Sequence, residues 1–251
     1  MADRIYLYKY RADDVYTIKL LCEQRLHFSH PFDFNDPLDC HPPCSDSFSE
    51  EMILSYVTGK YPLNEEAVRR NMPLIKAAIS DKKMLQPEVD RVFNSTYLCC
   101  LSYNADSPLM WAHYCNNHTG LCLGFDPKIG GSFLRTGMIR KVEYVTERQT
   151  LDFTKDLHPQ VENIVTQKFK DWEYEDEVRI IKSPAQMTIN GELQNSFEKS
   201  ALVAMFFGLR MPEERQKFYK LLCKQCGLDN VKFFKMTLPI DGSYFLVPKE
   251  I

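Results

Sequence analysis

Alternating hydrophobic and polar positions predict β-strands in several parts of the chain. The clearest is RIYLYKYR near the start, where Tyr6, Tyr8 and Tyr10 fall on one face and Lys9 and Arg11 on the other. Further strands are predicted for RLHFSH, TYLCCLSY, GLCLGF, IRKVEYV, VKFFKMTLPI and YFLVP. The run ALVAMFFGLR is either an apolar strand or a buried helix, and a strand is favoured for part of it.

Helical spacing dominates a different part of the chain. A first helix is predicted for ADDVYTIKLLCEQ, and residues 49–94 carry two or three helices with no strand signal. Ser107 and Pro108 suit the start of a helix over PLMWAHYCNN, and Gly227 suits the end of a helix over PEERQKFYKLLCKQCG. We therefore predict one α+β domain over residues 1–251, with a mixed, mostly antiparallel sheet and a helical insertion at about 49–94, after the second strand.

The stretch KDWEYEDEVRII combines apolar positions with an acidic row. If it is a strand, one face carries Glu173, Glu175, Glu177 and Arg179, and the other carries Trp172 and Tyr174. Like charges two residues apart on one face repel each other. The row is therefore either a solvated edge or a pair of carboxylates that a rigid strand delivers to one substrate.

Other polar positions have both structural and chemical interpretations. Lys9 and Arg11 form either the solvated end of an amphipathic strand or a cationic wall that meets the acidic strand or a phosphate. Asp36, in FNDPLDC, suits a turn in which its side chain bonds to nearby backbone. His113 shares a helix face with Asn117, and the spacing to His118 does not match a helical metal pair.

Composition narrows the class of protein. The chain has 251 residues, a formal net charge of -3 and 44% hydrophobic residues, which predicts a packed core and gives no electrostatic case for non-specific DNA binding. No apolar run of about 18 residues and no signal peptide is visible, so we expect a cytoplasmic protein without a membrane partner. The nine cysteines are expected to be reduced, mostly buried thiols with no bound metal, although CHPPC and CKQC have zinc-like spacings.

Four ordered blocks carry a resemblance to a known family. LYKYR, LHFSHPFDFNDPLDC, CLSYNADSPLMWAHYCNNHTGLCLGF and WEYEDEVRII resemble the pattern of the bacterial family called domain of unknown function 2971. The family name supplies no activity, and the resemblance implies a cytoplasmic bacterial protein with a link to phage defence.

The order of the elements also resembles the ADP-ribosyltransferase fold. That resemblance implies NAD as substrate, with Arg11 on its phosphates, Ser29 ordering the site, and Glu177 or Glu175 stabilising an oxocarbenium-like transition state. Lys9, Tyr10 and His113 would be further contacts to NAD, and the acceptor would be a protein or a nucleic acid. A fixed carboxylate suits this chemistry because positive charge develops on the ribose.

Three functions stay open on the sequence alone. The first is an NAD-consuming enzyme, and it requires the Lys9/Arg11 face and the Glu175/Glu177 face to open on one cleft. The second is a metal-dependent hydrolase or nuclease that uses Asp36, Asp39, His113 and Glu177. The third is a non-catalytic binding or sensor domain. Placement of the two charged faces on opposite sides of the sheet would contradict both the cleft and the NAD hypothesis built on it.

Overall fold

A computed structural model describes residues 6–43, 48–80, 86–152 and 154–251. The chain folds into two compact units. Unit 1 comprises the described parts of Met1–Ser29, Tyr97–Val142 and Asp171–Ile251, and unit 2 those of His30–Thr96 and Glu143–Lys170.

The described strands number twelve. In chain order they are β1 (Leu7–Arg11), β2 (Tyr97–Ser102), β3 (Leu121–Phe125), β4 (Met138–Lys141), β5 (Glu143–Val145), β6 (Gln167–Phe169), β7 (Glu177–Lys182), β8 (Thr188–Ile189), β9 (Glu192–Leu193), β10 (Leu202–Phe207), β11 (Lys232–Thr237) and β12 (Val247–Glu250). Eight of them form one sheet within unit 1, in the order β12-β11-β10-β3-β1-β2-β7-β4. Only β10 and β11 pair in parallel in this sheet, so the predicted α+β class with a mixed, mostly antiparallel sheet is confirmed.

The helices complete both units. They are α1 (Val15–Glu23), α2 (Glu50–Lys60), α3 (Glu65–Arg70), α4 (Met72–Ser80), α5 (Gln86–Asn94), α6 (Pro108–Tyr114), α7 (Ser132–Arg135), α8 (Leu157–Ile164), α9 (Pro184–Met187) and α10 (Glu213–Gln225), with 3-10 turns at Pro31–Asp33, Lys170–Glu175 and Lys199–Ala201. Helices α2 to α5 occupy the segment predicted as a helical insertion. As predicted, Pro108 opens α6, and Gly227 follows α10 with φ of 69°.

Unit 1 buries apolar side chains on both faces of its sheet. One face packs under α1 and α10 in a cluster that includes Leu21, Phe125 and Tyr219. The other face packs against α6, with Tyr10 and Trp111 in its cluster. A strand that is covered on both sides is held rigidly, which suits it to position a functional group.

Unit 2 combines α2 to α5 and α8 with a two-stranded parallel sheet of β5 and β6. The predicted strand IRKVEYV is two strands, β4 and β5, and Val142 lies between them. The Val142 N–H donates to Glu177 O at 2.9 Å. Among the described residues, no helix is both long and apolar enough to cross a bilayer.

Two predicted strands are wrong. RLHFSH forms only isolated bridges, at Arg25 and Ser29, because its backbone pairs with other chain segments at single positions rather than along a ladder. The segment from Trp172 to Ile180 is not one strand: a 3-10 turn ends at Glu175, and β7 begins at Glu177.

Candidate functional site

The acidic segment forms a turn followed by a strand, with Asp176 between them. Asp176 has a φ of 41°, a left-handed conformation that costs an ordinary residue roughly 1–2 kcal/mol. Neighbouring groups hold the turn: the Ser102 hydroxyl donates to Glu175 O at 2.6 Å, and Tyr103 N donates to Asp176 O at 3.1 Å. The Asp176 carboxylate pairs with Lys141 Nζ at 2.8 Å. A strained non-glycine residue that several contacts hold in place is typical of functional segments.

Glu177 and Arg179 form a buried ion pair on one face of β7. Arg179 Nε donates to Glu177 Oε1 at 2.8 Å, and Nη2 donates to Oε2 at 3.2 Å. The two residues are 3% and 0% exposed. This bidentate geometry is the strongest that a guanidinium and a carboxylate adopt, and it neutralises the charge of Glu177. The predicted shared face of these two residues is confirmed.

Glu175 has a different environment. Its side chain is 2% exposed, and its Oε1 accepts a hydrogen bond of 2.6 Å from the Tyr114 hydroxyl at the end of α6. Sequence reasoning missed Tyr114 because the contact joins positions 61 residues apart. The two glutamates thus differ: Glu177 is bound by a guanidinium, and Glu175 by a phenol.

Three aromatic rings lie close together on the same part of unit 1. The ring centroids of His113, Trp172 and Tyr174 are separated by 6.1 Å, 6.2 Å and 6.0 Å, which makes a nearly equilateral triangle. His113 is exposed, and the other two are half-buried. We call this set the aromatic trio. His113 was a candidate from the sequence, whereas Trp172 and Tyr174 were only assigned to the strand face opposite the acidic row.

The predicted cationic wall does not meet the acidic face. Strand register aligns Tyr8 with Ser102, and Ser102 with Glu177, so these three side chains share one face of the sheet. Lys9 and Arg11 alternate with Tyr8 and therefore project from the opposite face. The prediction that both charged faces open on one cleft is wrong, and the form of the NAD hypothesis in which Arg11 and Glu177 share a substrate is wrong with it.

Lys9 and Arg11 have structural contacts where they lie. Lys9 Nζ donates to Cys100 O at 2.7 Å, and Arg11 Nε donates to Thr17 Oγ1 at 3.1 Å. Arg11 also lies 3.8 Å from a carboxylate oxygen of Asp14, the residue that caps α1. These contacts fasten β1 to its neighbours.

Ser29 and Tyr10 are also apart from the acidic pair. Ser29 exchanges two backbone hydrogen bonds with Leu98, of 2.9 Å and 2.8 Å, whereas Glu177 aligns with Ser102 at the other end of β2. Ser29 therefore does not end a second strand, as the ADP-ribosyltransferase resemblance implied. Tyr10 shares the face of Glu177, but its hydroxyl donates to Asn104 O at 2.9 Å in the core, and burial raises its pKa well above the usual value.

Unit 2 contains a cavity of about 250 Å³ beside a second buried ion pair. Lys168 Nζ lies 3.6 Å from Asp39 Oδ2, and both side chains line the cavity and are almost fully buried. At the start of the same loop, Asp36 Oδ1 accepts from Leu38 N at 2.8 Å, which confirms the predicted turn. Lys168, on β6, was not a candidate from the sequence.

Eight of the nine cysteines lie in the described residues. Within the described ranges, no group of three or more His, Cys, Asp and Glu side chains is placed to hold a metal ion. Cys99, Cys115 and Cys122 are buried free thiols, as predicted, and Cys100 is half-buried. Cys44, half of the CHPPC motif, lies outside the described residues.

Part of the chain is similar to a known protein family. Residues 110–180 match the family model described as Protein of unknown function (DUF2971), which confirms the resemblance seen in the sequence. The matched segment runs from α6 into β7 and so includes the aromatic trio and both glutamates. No curated protein and no solved structure matches the chain. The family description names no activity, so NAD chemistry and phage defence do not follow from the match.

Proposed function

We propose that unit 1 is a binding module for a cationic, nitrogen-containing group that lies against the aromatic trio. The spacing of the three rings is the observation that supports this. Cations bind over aromatic faces within about 6 Å of a ring centroid. Because the Trp172 and Tyr174 centroids are 6.0 Å apart, a cation over the face of one ring can also lie within that range of the other, with the His113 ring 6.1 Å and 6.2 Å from them.

The surrounding charge favours a cation over an anion. The segment Lys170–Glu177, which carries Trp172 and Tyr174, contains five carboxylates and one ammonium. Asp176 pairs with Lys141 and Glu177 with Arg179. Asp171 and Glu173 are exposed in the same 3-10 turn as the two rings. Their negative charge attracts a cation to the trio and repels a phosphate or carboxylate.

NAD is a more specific candidate for the cationic ligand, because its nicotinamide ring carries a positive charge. If NAD is cleaved here, Glu175, whose carboxylate accepts a hydrogen bond from the Tyr114 phenol, is our candidate for the carboxylate that stabilises the oxocarbenium ion. Glu177 is held by the bidentate guanidinium of Arg179. The cationic-group proposal does not depend on this reaction, because binding alone requires only the trio and its acidic surroundings.

Calorimetric titration with a matched pair of small molecules tests the proposal. Choline and 3,3-dimethyl-1-butanol have the same shape but differ in charge, and we expect measurable binding of choline only. Tyr174→Ala and Trp172→Ala should each weaken that binding by roughly two- to thirty-fold, the equivalent of about 0.5–2 kcal/mol for one cation–π contact. Tyr16→Ala, which removes an exposed ring from α1, is the matched control and should leave binding unchanged.

Equal binding of the two molecules, or choline binding that survives in both ring variants, would contradict the proposal. A second arm uses NAD and 1-methylnicotinamide, with nicotinamide release and labelling of acceptors in cell lysate as readouts. Release that is lost in Glu175→Gln, by about a hundred- to a thousand-fold, would support the enzyme. If 1-methylnicotinamide binds and no nicotinamide is released from NAD, the result would support the binding module alone.

A further inference from the structure

Helices α1 and α10 lie side by side in unit 1, and a polar cluster joins their beginnings. Asp13 precedes α1, and its carboxylate accepts from Arg215 Nε at 2.7 Å and from the Tyr219 hydroxyl at 2.7 Å. Arg215 and Tyr219 lie in the first two turns of α10. These contacts from Arg215 and Tyr219 lower the pKa of Asp13 and fix the two helices at one end.

Two thiols meet at the other end of the same helix pair. Cys22 in the last turn of α1 and Cys226 directly after α10 have their sulfur atoms 3.6 Å apart. Cys22 lies nine residues beyond Asp13, and Cys226 lies seven residues beyond Tyr219. At about 1.5 Å of rise per residue, these separations are similar, as two parallel helices that start together require.

We propose that Cys22 and Cys226 are a modification site that forms a reversible disulfide when the protein meets hydrogen peroxide. Cys22 is exposed, so the peroxide oxygen is transferred to its sulfur, giving a sulfenic acid and releasing water. The Cys226 thiol then attacks that sulfur, the S–O bond breaks, and a second water leaves as the S–S bond forms. Two thiols and one peroxide thus give one disulfide and two waters.

The surroundings decide which cysteine reacts first. Burial and the hydrogen bond to Cys22 raise the pKa of Cys226 to about 11, which disfavours direct oxidation of this half-buried thiol. The positive charge of Lys199 lies nearby and lowers the pKa of Cys226. This favours the Cys226 thiolate, which is the form that attacks the sulfenic acid of Cys22. Closing the bond requires the sulfur atoms to approach from 3.6 Å to about 2.05 Å, a shift that the last turn of a helix can accommodate.

Oxidation followed by peptide mapping tests this site. Reduced protein is treated with hydrogen peroxide, alkylated with iodoacetamide and digested. We expect a linked peptide pair containing Cys22 and Cys226, lighter by two hydrogens than the two free peptides together, and its loss on reduction with dithiothreitol. Because the bond spans 204 residues of sequence, the oxidised protein should also melt several degrees higher than the reduced protein.

Two serine variants and one control keep the test decisive. Cys22→Ser and Cys226→Ser should each abolish the linked pair and the rise in melting temperature. Cys223→Ala changes a buried thiol one turn earlier in α10, and it should preserve the linked pair. Alkylation of both Cys22 and Cys226 after peroxide treatment, or a disulfide between Cys226 and any other cysteine, would overturn the proposal.

Discussion

The two units each contain a buried ion pair, and the two pairs differ in geometry and in origin. In unit 1, Glu177 and Arg179 are two residues apart on one strand and make two hydrogen bonds, of 2.8 Å and 3.2 Å. In unit 2, Asp39 comes from a loop and Lys168 from β6, and their charged atoms are 3.6 Å apart beside a cavity of about 250 Å³. A charge-assisted hydrogen bond is normally about 2.7–2.9 Å long.

The difference shows how local sequence and tertiary placement set the strength of a buried pair. Residues i and i+2 of a strand share a face, so β7 brings Glu177 and Arg179 together whatever else the fold does. Asp39 and Lys168 meet only if a loop and a distant strand are both correctly placed. Asp39 and Lys168 line a cavity, whereas Glu177 and Arg179 are 3% and 0% exposed.

Breaking the tighter pair should have the largest effect. Arg179→Met would leave the Glu177 carboxylate buried without the guanidinium that neutralises it, and we expect the free energy of unfolding to fall by about 3–5 kcal/mol. Urea denaturation followed by circular dichroism measures the change. The double variant Glu177→Gln with Arg179→Met should recover part of the loss. A loss below about 1 kcal/mol in the single variant would show that the pair contributes little.

A third buried cation sharpens the comparison because backbone carbonyls surround it. Lys182 Nζ donates to the carbonyls of Ser132, at 2.8 Å, and of Gln194, and it lies 4.9 Å from the ring centre of Phe28. Burial lowers its pKa from 10.5 to about 8. Between those values the unfolded chain binds more protons than the folded chain, so the free energy of unfolding should rise as pH increases from 8 to 10.5.

The variant Lys182→Met should lack this contribution. The difference in unfolding free energy between wild type and variant should therefore shift in favour of wild type by up to about 3 kcal/mol between pH 8 and 10.5. Urea denaturation at several pH values in this window provides the measurement. Parallel pH profiles for the two proteins would show that the ammonium is well solvated in the folded state.

Breaking the looser pair should have the smallest effect of the three. We expect Lys168→Met to lower the free energy of unfolding by about 1–2 kcal/mol, less than a fully packed pair, because the cavity gives Asp39 access to water. The matched control is Lys170→Met, an exposed position of the same unit, which should change stability by less than about 0.5 kcal/mol. A cost equal to that of Arg179→Met would remove the distinction between the two pairs.

Local patterns predicted much of the fold. Strands β1, β2, β3 and β10 are confirmed, alternation predicted the two faces of β1, and the Ser107-Pro108 start of α6 is confirmed. The prediction of one acidic strand is wrong because the alternation of residue types continues through Trp172–Glu175. In the structure, hydrogen bonds from Ser102 and Tyr103 hold a turn there. Nothing in the local sequence records those distant donors.

The candidate site was predictable only in part. Glu175, Glu177, Arg179 and His113 were all visible as chemistry-bearing residues. The partners of Glu175 and His113 could not be predicted. Tyr114 contacts Glu175, and Trp172 contacts His113, only because α6 packs beside the 3-10 turn. The expected meeting of Arg11 with Glu177 failed for a simple reason. Alternation fixes which residues of one strand share a face, but it does not say which face of a neighbouring strand turns the same way.

The order of the eight-stranded sheet also has a consequence for how the protein avoids self-association. Within the described residues its outermost strands are β4 and β12, and the outer edge of a sheet is a template that a second molecule could extend. At one border, Pro248 has no N–H to donate, and the charged Lys249 and Glu250 follow it. At the other, Arg140 and Lys141 are both exposed, and long charged side chains on an edge strand hinder pairing with a second sheet. Both borders are thus chemically unsuited to edge-to-edge aggregation.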